Sequence, residues 1–363
     1  MFLPALPALQ VAFGGPEAVS GLAISLYMGV AALLQLVLGP LSDRIGRRPV
    51  ILGLLVVYSL ASFCCLVAQD ITTFLAARTV QAVAVGGGIL SSAVVRDLFE
   101  GRQAAAKLSF IASAMAIAPM VAPMVGGVLE TAFGWRAIFV AYAAIGGGLL
   151  AWCWWDLGET RPASRTGRLD LGDLLRARLF WAYVGVQAFG VGVFYVFLTG
   201  APFVMASVFS LDAAQTGLVL GTTTAGFLVG AGLSARVVER FGELRLILFG
   251  RGLPVAGIFA GWFYYLVGGV GLWPFLAAAL CVGLGNGVSI PNAAAGALSI
   301  RPDLAGSASG LGGAVTLALG AGLTALATAI VGANTTPATL LAVMGCIAIA
   351  ALGAAYAARR WAA

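Results

Sequence analysis

The chain has 363 residues, 61% of them hydrophobic and only 9% charged, with a net charge of +6 and a mean hydropathy of +1.02. A soluble domain carries about 25% charged residues, so this composition excludes a soluble globular protein. It points to an integral membrane protein whose long apolar runs are spanning helices rather than barrel strands. The positive balance calls for no nucleic-acid partner, because basic loops follow from membrane topology alone.

Taken in order, Met1 to Leu9 is apolar, carries Pro4 and Pro7, and is too short to span a bilayer. A loop at Gly14-Gly15-Pro16-Glu17 precedes spans predicted at Val19–Leu38, Val50–Ala68, Thr73–Val94, Leu108–Leu129 and Trp135–Trp155. A polar segment from Asp156 to Arg178 follows and contains five arginines. Further spans are predicted at Leu179–Phe203, Ala213–Ala235, Leu246–Val267, Leu272–Ala293, Leu304–Val331 and Pro337–Ala358. Each has about the twenty apolar residues that cross a ~30 Å hydrocarbon core. The pattern divides the chain into an N-terminal transmembrane half (1–156), a central linker (157–178) and a C-terminal transmembrane half (179–363), with eleven complete spans and one fragment.

The stretch Gly39-Pro40-Leu41-Ser42-Asp43-Arg44-Ile45-Gly46-Arg47-Arg48-Pro49 is an island of charge between two apolar runs, and reads as the tight turn joining them. With that turn in the cytoplasm and the spans alternating, 17 of the 20 Lys and Arg residues fall on its side of the membrane. Arg136 alone lies on the outer face, while Arg78 and Arg251 sit within spans. This is the positive-inside distribution of a multi-pass protein with a cytoplasmic C-terminus. There is no histidine, the five cysteines all fall in apolar runs as packing residues, and no metal cluster, nucleotide loop or nucleophile–base pair is present. These absences argue against an enzyme, a metal site, a bound cofactor and an ATP-driven pump.

The two halves are related. Asp43-Arg44-Ile45-Gly46 recurs as Glu239-Arg240-Phe241-Gly242, 196 residues later, and Phe2-Leu3-Pro4-Ala5-Leu6-Pro7 falls beside Phe197-Leu198-Thr199-Gly200-Ala201-Pro202 near the same offset. Weak internal repeats of this kind mark secondary transporters, whose substrate sites lie at the repeat interface. Pro202 ends a full predicted span, so Pro7 is expected to end a first span whose opening part precedes Met1.

The motifs resemble those of the major facilitator superfamily, and more narrowly its bicyclomycin-resistance (Bcr/CflA) drug-efflux branch. Gly39 to Pro49 is similar to the superfamily's loop 2–3 signature nearly position for position. Arg78-Thr79-Val80-Gln81 resembles the R-x-x-Q-G motif of proton-coupled members, with Ala82 in place of the usual Gly. Ala118-Pro119-Met120-Val121-Ala122-Pro123-Met124-Val125-Gly126-Gly127 resembles the antiporter motif, its second Pro-x-x-Gly-Gly intact and Ala118 and Ala122 standing where Gly is common. Leu3 to Pro7, Val95-Arg96-Asp97-Leu98-Phe99, Gly134 to Phe139 and Ala305-Gly306-Ser307-Ala308-Ser309 match phrases of the Bcr/CflA branch. The resemblance implies an all-α fold of two pseudo-symmetric six-helix halves in the bacterial inner membrane. It also implies a monomer that exports small apolar drugs in exchange for protons, the proton gradient being the energy source. A facilitator for a small metabolite such as a sugar or amino-acid derivative is the alternative, with a non-transporting truncated form behind it. In the resembled branch an aspartate on the first span precedes the Leu-Pro-Ala-Leu-Pro phrase; here that position falls upstream of Met1.

Each motif has its own physical reading. In the loop 2–3 stretch Gly39 allows close helix approach, Gly46 a reversal and Pro49 a helix first turn. Asp43 pairs with Arg44 or Arg47 or sits at a helix N-terminus; the resemblance implies that these residues, with Arg48, form a conformational latch, a solvated loop that only sets orientation being the alternative. Arg78, with Gln81 one turn on, either faces a cavity as a coupling residue or snorkels to the outer interface. Pro119, Pro123, Gly126 and Gly127 read as a kinked, closely packed pivot, with plain helix packing as the alternative. Tyr27, Gln35, Gln187, Phe194, Tyr195, Asn286, Pro291 and Asn292 are candidate cavity residues, with simple helix interface as the alternative.

Overall fold

The computed structural model describes residues 1–14, 17–99, 101–160, 172–301, 305–331 and 336–362. Gly15, Pro16 and the linker residues Arg161, Arg165 and Arg168 lie outside them, as do the side chains of Arg96, Arg102, Pro119 and Ser307. Among the described residues the chain is helical throughout, with ten helices long and apolar enough to cross a membrane. Lipid offers no hydrogen bonds, so each span must close its own backbone ladder, and the helix is the single-segment solution.

A 3-10 turn, Leu3–Ala5, leads into the short helix α1 (Leu6–Phe13). Then follow α2 (Glu17–Ile45), α3 (Arg47–Val67), α4 (Ile71–Val80), α5 (Val85–Leu98), α6 (Gly101–Phe133) and α7 (Arg136–Asp156). The short α8 (Gly172–Arg176) ends the linker, and α9 (Arg178–Ser207), α10 (Ala213–Phe241), α11 (Glu243–Leu266), α12 (Trp273–Ser299), α13 (Ala305–Val331) and α14 (Pro337–Ala362) complete the chain. Every predicted span is a helix, and most run several residues past the apolar window. The Thr73–Val94 span is interrupted by a 3-10 turn at Gln81–Ala84, so α4 and α5 are two segments of one crossing.

The charged island is not an open turn. Gly39 to Ile45 form the last two turns of α2, Arg47 begins α3, and the break is Gly46 alone, at φ 109°. A side chain on Cβ resists that conformation, which is why glycine occupies it. The second half repeats the device: Gly242, at φ 77°, is the single residue between α10 and α11. Gly39 itself is not a point of close approach, since a Cβ there meets nothing within 4 Å. Asp70 caps α4 by accepting the Thr73 amide at 2.8 Å and the Thr73 hydroxyl at 2.6 Å, bonds that hold its carboxyl below the ordinary range.

Within each half the helices pack side by side: α3 on α7, α11 and α10 on α12, and α9 on α12, α13 and α14. The halves meet along two seams, α2 against α13 and α6 against α10, with α1 lying on α9. One core belongs to the C-terminal half, around Phe197, Phe275, Ile258 and Met344. Another straddles the halves: Phe2, Leu6, Met28, Phe74 and Phe139 pack with Phe203 and Ala321. In it Phe74 stands edge-on to Trp135 and Phe139, at 6.0 and 5.4 Å. Leu33, Leu60, Phe63, Phe249 and Phe263 point outward, forming the apolar exterior a bilayer solvates. Cys64 and Cys346 belong to that exterior rather than to the packing; Cys65 is buried.

Candidate functional site

The site has three parts, each built from the sequence motifs. The first is a clasp around Gly46. Arg47 begins α3 with its side chain only 8% exposed, folded back on α2. It pairs with Asp43, one turn earlier, at 2.6 Å, and its Nε donates to Asp97 at the end of α5 at 3.0 Å. A third bond from its guanidinium goes to the Ser42 hydroxyl. The group at the helix N-terminus is not Asp43 but Glu159, just after α7: its carboxylate accepts the Arg47 amide at 2.8 Å and the Arg48 amide at 3.3 Å. Those amides open α3 and have no partner inside it, and the positive end of the helix dipole faces them. Arg48 donates to the Trp154 carbonyl at 2.9 Å and lies over the Trp154 ring. Gly46 is needed a second time here, because a Cβ would sit 3.0 Å from the Glu159 carboxyl carbon. Arg44 is exposed in the last turn of α2.

The second part is a buried cation. Arg78 is 9% exposed and turns inward rather than snorkelling to an interface. Its guanidinium lies on the rings of Phe2 and Tyr27, at 4.1 and 4.6 Å from their centroids, and donates to Gln81 Oε1 at 2.6 Å. Gln81 is fully buried in the 3-10 turn and passes the chain on to the Ser62 hydroxyl of α3 at 2.7 Å. The interruption between α4 and α5 therefore coincides with the polar network. No carboxylate is paired with Arg78 among the described residues.

The third part is the seam between the halves. Gly127 of α6 lies against the α10 backbone: a Cβ there would be 2.9 Å from the Ala213 carbonyl carbon. Gly217 of α10 in turn meets the Pro123 carbonyl: an alanine Cβ at that position would stand 2.7 Å from the oxygen. Gly126 meets the backbone at Met1. Small residues let two backbones touch where lipid gives helices no hydrophobic drive to associate. The helix α6 runs unbroken through Pro119 and Pro123.

The candidate cavity residues separate into two groups. Tyr27 faces Arg78, and Gln35 reaches across to α13, where a Cβ on Gly313 would lie 2.8 Å from its Nε2; its buried Oε1 has no partner. Phe194 and Tyr195 stack at 5.8 Å, and Tyr195 packs on both the C-terminal and the shared core. Gln187 bonds back to the Tyr183 carbonyl of its own helix at 3.4 Å. Asn286 and Asn292 are drawn inside the C-terminal half instead. Asn286 donates to the Gly190 carbonyl of α9 at 3.1 Å, and Asn292 to Ser234 of α10 at 2.7 Å and to the Val288 carbonyl at 2.6 Å, while Pro291 is exposed. An apolar, half-open cleft of about 600 Å³ lies in the N-terminal half, walled by Ile51, Leu54, Leu90 and, on its exposed side, Ile145 and Leu149. In the C-terminal half the first turns of α9, with Phe180, Tyr183 and Val186, fill the space beside α11, α12 and α14.

The sequence motifs do not mark Asp97, Glu159 or Ser62 as site residues. For the two carboxylates a signal exists, since each is a charge beside a span end in a chain almost without charge; for Ser62 there is none.

Two helical halves, joined along two seams of which α6 against α10 is close-packed at glycine, and each with two helices separated by a single positive-φ glycine, define a polytopic membrane protein built like a secondary transporter. The sequence matches the Major Facilitator Superfamily over residues 1–325. A chloramphenicol resistance protein of Pseudomonas aeruginosa is 30% identical over 320 residues, covering 85% of this chain and 74% of the relative. Multidrug resistance protein D of Escherichia coli (strain K12) is 29% identical over 313 residues, 84% of this chain and 77% of the relative. Among solved structures, a D-xylose–proton symporter superposes with a TM-score of 0.80 at 16% identity, over 97% of this chain and 92% of that one. A bacterial homolog of the human lysosomal transporter Spinster, inward-facing and occupied, gives 0.78 at 16%, over 99% and 92%. At that identity the structures speak to the fold alone. The chain belongs to the major facilitator superfamily, and is a transporter rather than an enzyme.

Proposed function

We propose that the protein is a multidrug efflux transporter of the Bcr/CflA branch, exchanging small, largely apolar drug-like molecules for protons by alternating access. It uses the proton gradient and no cofactor, acts as a monomer in the bacterial inner membrane, and holds the Gly46 face and its C-terminus in the cytoplasm. Residues 1–156 and 179–363 are the moving halves and 157–178 the cytoplasmic linker between them. The observation that carries this reading is the similarity to proteins named for chloramphenicol and multidrug resistance, over 74% and 77% of their own lengths. The geometry supports it. A clasp that ties α2, α3, α5 and the end of α7 into one unit, and a close-packed seam between α6 and α10, are what two rigid halves need in order to rock about a shared interior.

The test is expression in a pump-deficient bacterium against a panel that includes chloramphenicol. Tolerance to at least one compound rises, and a protonophore abolishes the accompanying efflux. Unchanged tolerance to every compound in cells that hold the protein in their membrane overturns the export reading; efflux indifferent to the protonophore overturns proton coupling alone.

A further inference from the structure

Arg251 has no part in the transport cycle sketched above, yet it is only 2% exposed and lies well inside α11. A guanidinium at such a place is costly to bury, and positions of this kind are held for a reason. Its hydrogen bonds all go to one partner. Nε donates to the Ser289 hydroxyl of α12 at 2.7 Å, and a second guanidinium nitrogen bonds the same oxygen. The Ser289 hydroxyl donates onward to the Gly285 carbonyl at 2.6 Å. Val193, Pro254, Val282 and Ala348 close the space around it, and no carboxylate among the described residues pairs with it. The remaining neighbour is the backbone of α9: a Cβ on Gly190 would stand 2.7 Å from Arg251 Cζ. Asn286, one turn before Ser289, donates to the carbonyl of that same Gly190 and leaves its own Oδ1 without a partner. Three helices therefore meet at one glycine through one cation.

The far side of α9 carries the consequence. Tyr195 is five residues beyond Gly190, about 140° round the helix at 100° per residue, and packs on the core shared by the two halves. A well-packed apolar side chain would serve stability at least as well as a buried ion held by one serine. We propose that Arg251 is a positioning residue: through Ser289, Asn286 and Gly190 it sets the lateral position of α9, and so selects which substrates the Tyr195 face accepts. This rests on the export reading.

The experiment measures drug transport into inside-out vesicles for several substrates, giving KM and maximal rate for the full chain and its variants. Arg251→Gln and Gly190→Ala each change the KM ratio between substrates by about threefold or more, and because the two positions touch, their effects are not additive. In the double variant the shorter Gln leaves room for the new methyl group, so its shift is smaller than the two single shifts combined. Arg251→Lys, which keeps the charge but loses the planar fork, gives an intermediate shift and is read with the double variant if a single one fails to accumulate. Unchanged KM ratios, with only the maximal rate or the amount of protein reduced, overturn the proposal, as does simple additivity of the two single changes. A parent protein that transports the panel while its variants keep its KM ratios sinks this inference alone; a parent that transports nothing sinks the export reading with it.

Discussion

At the scale of single residues, two aspartates on one arginine do different work. Asp97 is 6% exposed in its side chain and Asp43 62%, yet both bond Arg47. The Asp97 contact is a buried charge-assisted bond, whose loss costs about 1.5–3 kcal/mol. The Asp43 contact is a surface pair, worth about 0–1 kcal/mol. Asp43→Asn is therefore expected to leave expression and thermal stability close to the parent's while cutting transport, because its carboxylate ties the α2 end to Arg47 rather than holding the fold. Drug-tolerance assays beside thermal-shift measurements check this; normal transport by the variant removes the latch. Asp97→Asn is the contrasting case, lowering stability and transport together. Of these contacts the sequence allowed the Asp43–Arg47 pair, which is local. It did not reveal Glu159 on the Arg47 amide, since that bond joins positions 112 residues apart and depends on where α7 ends.

At the scale of elements, helices were legible and their interruptions were not. An apolar run of about twenty residues between charges has one stable form in lipid. Whether the charge island is loop or helix is decided by less: the backbone groups past the apolar window find partners, so α2 continues to Ile45, Gly46 still donates to the Ser42 carbonyl at 3.1 Å, and the ladder breaks at the Arg47 and Arg48 amides, which Glu159 accepts. The 3-10 turn at Gln81–Ala84 likewise coincides with a buried network, just ahead of the Gly86-Gly87-Gly88 run. The seam between α6 and α10 yields a sharp expectation. Gly127→Ala places a methyl group against backbone that no rotamer change can move, costing about 1–3 kcal/mol and pushing the halves apart. A lower melting temperature with reduced transport is the expected result. Gly53→Ala, where a Cβ meets nothing within 4 Å, serves as the neutral control.

At the scale of the whole molecule, orientation follows from charge. With Gly46 and Gly242 on one face, the alternating spans bring Arg44, Arg47, Arg48, Arg240, Arg245, Arg359 and Arg360 to it as well, while Arg136 closes the opposite face by donating to the Leu66 carbonyl at 3.3 Å. A fluorescent protein fused after the C-terminus is expected to fluoresce, and a phosphatase fused there to stay inactive; the reverse pair of results inverts the topology. The repeat seen in the sequence as Asp43 to Gly46 and Glu239 to Gly242 becomes, in three dimensions, a one-residue glycine break between two helices in each half.

The amino-acid sequence by itself determined the class of protein, the approximate places of the spans, the pseudo-repeat and the motif that marks the superfamily. Each is written in local composition: a lipid-exposed segment must be apolar along its length, and charges must sit at its ends. Only the tertiary structure decided who meets whom. It turned Arg78 inward onto Phe2, Tyr27 and Gln81, drew Asn286 and Asn292 away from the space between the halves, and set Arg251 against Gly190 and Ser289. Those outcomes depend on helix rotation and on distances between segments far apart in the chain. Polar side chains in a low-dielectric interior take whichever partner the packing brings within about 3 Å.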